Sequence, residues 1–523
     1  MKLYPRSDRR AAGILVAGVA ALTAIALAGC TSAVSGGAGP ISTPVRGGQI
    51  VVAQPGDFQP NVILGGRTGN YPWIGNVFQP LTYIDPESGT PEPVLAKDWT
   101  FADDGMSVTF TLQDDVTFHT GRPMTADDVK FSFMKTTEAD SGSQVGFIAK
   151  QFSSIDVASP TSLTVTFSQR LSEATIFDFL EQTYIVDQET YAGLADGSQV
   201  VGTGPYKWGT YRPGTSITLE RFDGYWNAAA GGQYADTIEI DKLADSTAQL
   251  SALRSNGANI AYNLGLTDAK GFESQPQYTT IDAGGTIYPF GMDVTKAPFD
   301  NPKVRQAIAY AIDRDRINDQ VFAGGGTVTD LFWGADAPGV TDDQVNHYAY
   351  DPEKAKQLVE EAGATGAEVP ITVVALPAIQ SEYEIIANNL TAIGLAPTAV
   401  SVDETTFNSL QNQANLGPAF LLLHSQVGLG PSTLISSLPS LRANNPSHFD
   451  SPEYQDLRNN LTSAASDEEN EKALGALTEY ILEQAWVVPI VQAPYKVVSS
   501  TDVQGIGVSK RGNLLLNDAY ISE

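Results

Sequence analysis

Residues 98–133 read DWTFADDGMSVTFTLQDDVTFHTGRPMTADDVKFSF, and the rest of the chain is organised around them. Trp99 and Phe101 precede a turn at Ala102-Asp103-Asp104-Gly105, after which Val108, Phe110 and Leu112 alternate with polar residues. Alternation of period two turns one face of a strand to a core and the other to solvent, so the spacing predicts a hairpin. Val116 and Phe118 begin a second short alternation, and Gly121-Arg122-Pro123 breaks it. Thr125 stands three residues before Asp128, the spacing of a capping box, with Val129, Phe131 and Phe133 beyond. A helix is expected there. Nothing in the stretch is catalytic, and its residues are expected to build scaffold.

On the N-terminal side, residues 1–29 have the form of an export signal. Lys2, Arg6, Arg9 and Arg10 precede an apolar run from Ala11 to Ala28. The run ends in Leu27-Ala28-Gly29-Cys30, which resembles a bacterial lipobox, so cleavage and lipidation of Cys30 are expected. A retained anchor is the alternative, because about 18 apolar residues just span a bilayer. Arg9-Arg10 leaves the export route open. Cys30 is the only cysteine, so no intrachain disulfide forms. Residues 31–48, rich in Ser, Gly, Thr and Pro, read as a tether with a mean reach of roughly 20–25 Å. The formal charge of −29 becomes three units more negative once residues 1–29 are removed. So acidic a surface excludes nucleic acid as a partner.

Residues 91–101 (PEPVLAKDWTF), the Asp-Asp-Gly turn and residues 116–133 (VTFHTGRPMTADDVKFSF) together resemble the extracellular solute-binding proteins of family 5, the peptide/nickel-type receptors of ABC importers. Residues 76–85 (NVFQPLTYID), 202–206 (GTGPY) and 297–317 (APFDNPKVRQAIAYAIDRDRI) extend the likeness. The resemblance implies an α/β fold, two-lobed and periplasmic-binding-protein-like (type II, cluster C), with an extra small domain. Residues 1–29 would be the signal and 30–48 the tether. Lobe I would comprise 49–85, 200–290 and 485–523, the small domain 86–199, and lobe II 291–484. Crossover strands between lobes are expected near residues 288–293 and 485–490. The family also implies a monomeric receptor without catalysis or cofactor, lipid-anchored at the outer face of the cytoplasmic membrane. Its partners would be a peptide or small-molecule ligand, a permease and ATPase subunits.

The second half of the chain is more regular. Asn301-Pro302 and Asp351-Pro352 place a capping side chain before a proline at the first helical position. Strands at 371–376, 397–402 and 419–423 alternate with helices at 382–393 and 404–415, which implies a parallel sheet. Ligands of such sheets bind beyond the carboxyl ends of the strands. The loop after residue 423 is therefore the first candidate site, with His424, Ser425, Gln426, Val427 and Ser432 as its candidates. The loop aromatics Tyr71 and Trp73 join them as candidate lining residues.

Peptide receptors of the resembled family carry Trp-x-x-Asp before a loop proline, and the Asp pairs with the peptide's amino group. Aligned on Pro431, this chain has His424 at the Trp and Val427 at the Asp. A buried ammonium needs a charged partner. Either another acidic residue takes that role, or the ligand has no free α-amine. A peptide ranks first, and an oligosaccharide held by Tyr71, Trp73, Gln426 and Ser432 is the alternative. Nickel receptors of the family carry a histidine after the loop proline, where this chain has Ser432. His119, His347, His424 and His448 are spread singly without metal-ligand spacing, so no metal site is expected. An exported serine enzyme is the reading from a different class, on the S-x-x-K of Ser132 and Lys135. It lacks the partner motifs and falls inside the expected scaffold helix.

Overall fold

The computed structural model describes residues 44–522 apart from 87, 195, 426 and 427; Cys30, Gln426 and Val427 thus lie outside the described residues. The hairpin forms as its alternation predicts. Strand Ala96–Phe101 pairs antiparallel with Ser107–Leu112, Trp99 opposite Phe110. Val108, Phe110 and Leu112 are buried while Thr109 and Thr111 face solvent. Gly105 closes the turn at φ +65°, its N–H donating to the Ala102 carbonyl at 2.8 Å. Strands Phe152–Ser159 and Ser162–Phe167 complete a four-stranded sheet. Helix Ala126–Lys135 opens on the capping box, with the Thr125 N–H donating to the Asp128 carboxylate at 2.9 Å. The second alternation does not become a strand. Val116 and Phe118 are buried, but the chain reverses at Gly121 and makes only one bridge, Thr117 to Pro123.

The large sheet has eleven strands. From one edge it runs Ala396–Val402, Glu368–Val374, Ala419–Leu421, Tyr278–Met292, Val487–Ser500, Ile260–Leu264, Gln49–Gln54, Thr237–Lys242, Ser216–Arg221 and Tyr206–Arg212, with Thr327–Val328 attached to Val487–Ser500. Strand Glu368–Val374 is parallel to both neighbours, as the strand–helix alternation implied. The proline-opened helices are capped: Asn301 Oδ1 accepts from the Lys303 N–H at 3.0 Å, and Asp351 Oδ1 from Lys354 at 2.9 Å. Apolar side chains gather in three main cores. One holds Phe290, Ile308, Ile371 and Trp486, a second Ile50, Trp73, Tyr206 and Leu514, and a third Phe110, Phe118, Phe133 and Phe179. They fill two lobes and a small extra domain.

Strands Tyr278–Met292 and Val487–Ser500, 15 and 14 residues long, carry the sheet from one lobe to the other. At about 3.3 Å per residue they run roughly 45–50 Å. The segments expected to cross over, 288–293 and 485–490, fall at one end of this strand pair. The ladder breaks earlier, between Ala283 and Thr286 opposite Tyr495 and Ala493. Gly284 (φ +58°) and Gly285 (φ +150°) occupy the break. A Cβ on Gly284 would stand 2.8 Å from the Arg511 carbonyl oxygen. The left-handed conformation alone costs an L-residue about 1–2 kcal/mol, so Gly284→Ala is expected to lose at least that in a denaturant titration. An unchanged midpoint would mean that the break relaxes without cost.

Candidate functional site

The 3-10 turn Thr68–Asn70 leads into helix Tyr71–Val77. Asn70 fixes that approach: its amide donates to the Gln59 carbonyl at 2.8 Å, while Oδ1 accepts the Gln59 N–H at 2.9 Å and the Trp73 indole at 3.2 Å. The Tyr71 hydroxyl donates to the Gly66 carbonyl at 3.0 Å. Two small cavities open beside this tyrosine, and both are lined by Tyr71 and Arg511. The first adds Arg67, Glu181, Gln182 and Asn513, and the second adds Tyr262, Gly284, Ser425 and Tyr495. The second therefore joins the ladder break to the loop after strand Ala419–Leu421. Their free volumes, about 20 and 10 Å³, hold a water or two at most. A wider groove of about 560 Å³, lined by His119, Lys207, Trp208 and Tyr211, is open to solvent; like the first cavity it carries no residue of 291–484, whereas the second cavity carries Ser425.

Of the residues singled out from the sequence, Tyr71 and Ser425 stand at these cavities. Ser425 Oγ is 3.0 Å from Thr286 Oγ1, which is 2.8 Å from the Tyr495 hydroxyl. Trp73 does not line them. It lies two residues beyond Tyr71, roughly 200° around the helix. It is fully buried, its ring 4.8 Å from that of Trp208. His424 is also a core residue. Its main chain exchanges hydrogen bonds with Ile287, and Nε2 is 2.6 Å from Ser440 Oγ. Burial, reinforced by Arg442, pushes its pKa down to about 3, so the ring is neutral. Ser432 is buried in helix Pro431–Ser437, 3.5 Å from the Leu461 carbonyl, and lines neither cavity. Among the described residues no group of three His, Cys, Asp or Glu is placed to hold a metal ion.

The charged lining comes from segments that pattern reading passed over. Helix Glu173–Gln182 supplies Glu181, and the C-terminal segment supplies Arg511, whose guanidinium donates to Gln144 Oε1 at 2.7 Å. The readable signal was two acids, Asp178 and Glu181, inside the apolar run ATIFDFLEQTYIV. Asp178 accepts the Gly430 N–H at 2.9 Å, which ties the small domain to the second lobe. The Ser172 N–H reinforces this contact at 3.2 Å from the Thr462 carbonyl, as does Arg170 at 3.1 Å from that of Ala465. Burial pushes the pKa of Asp178 up to about 6, against the Gly430 bond and the charges of Lys510 and Arg511. Burial and then the Asp178 charge push Glu181 up to about 7.

The sequence and the fold resemble those of known proteins. Residues 90–444 match the sequence profile of the "Bacterial extracellular solute-binding proteins, family 5 Middle". Heme-binding protein A of Haemophilus influenzae is 26% identical over 479 residues, 84% of each chain. The glutathione-binding protein of Pectobacterium atrosepticum is 28% identical over 276 residues, 52% of each. The crystal structure of a dipeptide binding protein from Pseudoalteromonas sp. SM9913 with Met-Leu superposes with a TM-score of 0.75 at 22% identity, covering 91% of this chain and all of that one. No helix of the described residues is long and apolar enough to cross a membrane. With the profile match spanning more than half its length on a two-lobed α/β fold, the chain belongs to the bacterial extracellular solute-binding proteins of family 5.

Proposed function

We propose that this receptor captures a short peptide between its lobes for the permease of an ABC importer, and that a lipid on Cys30 holds it at the outer face of the cytoplasmic membrane. The observation that carries the peptide reading is the lining of the paired cavities. Glu181, Arg67, Arg511, side-chain amides and tyrosine hydroxyls converge there. Such a mixture of charged donors and acceptors suits the ends and amides of a peptide. It suits a broad apolar ring such as heme poorly, although heme is the ligand named for the Haemophilus relative. The names of the glutathione-binding and dipeptide-binding relatives point the same way as the lining. His424, bound to Ser440, offers no free imidazole to nickel. The rings of Tyr71, Tyr262 and Tyr495 favour an oligosaccharide as the second reading.

Closure about the break at Gly284-Gly285 would bury the ligand and form the surface that docks on the permease. A ligand that binds only the folded receptor stabilises it by RT ln(1 + [L]/Kd), about 2.7 kcal/mol at a hundredfold excess over Kd. A thermal-shift screen of the exported protein against free peptides, N-acetylated peptides, oligosaccharides and Ni²⁺ tests the reading. Free peptides are expected to raise the melting temperature. A rise with oligosaccharides alone would replace the peptide by a sugar.

A further inference from the structure

We propose that Glu181, with the side-chain carbonyl of Asn513, forms the acceptor set that takes the ligand's ammonium group. The proposal rests on the peptide reading and names the residue that would discriminate within it. Helix Glu173–Gln182 buries Ile176, Phe177, Phe179 and Leu180 in the core of the small domain. Glu181, on the last turn of this helix, is 2% exposed, and its Oε1 has no hydrogen-bond partner. Asn513 is 6% exposed, and its Oδ1 also has none. Both side chains line the same cavity, so it holds two buried acceptors that lack a donor. Leaving such atoms unpaired costs free energy, most of all at a carboxylate.

An ammonium group supplies the missing donors. It carries three N–H bonds and a full charge, and its size is close to that of the water or so that the cavity admits. Tyr71 borders the same space, and an aromatic side chain there suits a neighbouring cation. Arg67 and Arg511 line it too, and guanidinium groups suit a carboxylate or carbonyl on the same ligand. The complement is thus a molecule with both charges, as a short free peptide is. The sequence leaves this role vacant elsewhere, since the loop position that resembles the family's amine-binding aspartate is Val427.

The titratable and charged groups facing Glu181 are Asp178 on its own helix, Tyr184 just beyond it, Tyr83 on strand Thr82–Ile84, and Lys510 and Arg511 on the C-terminal segment, with Arg67 on the opening loop of the same cavity. Its pKa near 7 makes an arriving ammonium displace a proton from part of the population at neutral pH. Affinity for amines therefore falls as the pH is lowered, and Glu181→Gln removes that dependence.

The test is calorimetric titration of the exported protein and of E181Q with free dipeptides and tripeptides, their N-acetylated forms, and maltotriose. E181Q keeps the shape of the side chain, and its melting curve verifies that it folds. The expected result is a loss of roughly tenfold to a hundredfold in affinity for free peptides, the worth of one charge-assisted hydrogen bond. Weaker binding from pH 8 to pH 5.5 is expected in the parent protein and not in E181Q. If free peptides bind both proteins equally, Glu181 is not the acceptor, while the peptide reading stands. If only maltotriose or acetylated peptides bind the parent protein, the ammonium site is refuted along with the free-peptide ligand.

Discussion

Replacing Arg122 with methionine is expected to destabilise the protein by about 3 kcal/mol or more, the cost of leaving a buried carboxylate without its counter-charge. Here two carboxylates lose it at once. The guanidinium binds Asp128 and Asp187, with Nε 3.0 Å from Asp187 Oδ1 and Nη1 3.2 Å from Asp128 Oδ2. Both aspartates are essentially inaccessible to solvent. Asp128 also caps helix Ala126–Lys135, and the guanidinium lies over Phe118 at 4.8 Å from the ring centre. Methionine keeps much of the apolar stem, so the loss isolates the charge. Urea unfolding at pH 7 measures it, and adding Asp128→Asn and Asp187→Asn should recover part of the stability, because amides cost less to bury unpaired than carboxylates do. A loss below about 1 kcal/mol, the range of exposed pairs, would mean that water reaches the two aspartates.

That pairing explains in physical terms why residues 116–133 are so readable. Gly121 turns the chain at positive φ, Arg122 neutralises two buried acids, and the Thr125–Asp128 box starts the helix. The turn and the capping box are local constraints that residue type alone expresses, as is the alternation of Val108, Phe110 and Leu112, whereas the pairing of Arg122 with Asp187 spans 65 residues. The parallel strands of the second lobe were legible for the same reason. The candidate site was less so. Trp73 is a candidate as an aromatic in an expected loop, and His424 as the first residue beyond the carboxyl end of strand 419–423. Helical rotation turns Trp73 into the core, and pairing with Ile287 draws His424 inward while Ser425 reaches the cavity. The break in the ladder of the two long strands lies at two glycines that the apolar pattern does not mark. Glu181 and Arg511 meet across 330 residues, a juxtaposition that the fold makes and no local spacing encodes.

The second large effect concerns those buried acids and runs against the usual expectation for carboxylates. Asp178 and Glu181 have pKa values pushed up to about 6 and about 7, against unfolded values near 4. The native state therefore holds more protons than the unfolded chain across this interval. Their stabilising contribution is complete below about pH 4 and is lost as the pH rises through 6 and 7. For Asp178 alone the loss is roughly 3 kcal/mol. Asn and Gln mimic the protonated forms, so the variant Asp178→Asn, Glu181→Gln is expected to be more stable than the parent at pH 8 by several kcal/mol. That advantage should vanish near pH 4.5. Denaturant titrations at the two pH values check it, since the many exposed acids are common to both proteins. An advantage that is absent at pH 8, or that grows as the pH falls, would show that the hydrogen bond from Gly430 outweighs burial at Asp178. Retention of two ionisable acids where neutral residues would be more stable fits a receptor. On the proposed reading, a cation brought by the ligand would offset the desolvation of these acids, and stability would be exchanged for discrimination between charged and uncharged ligands.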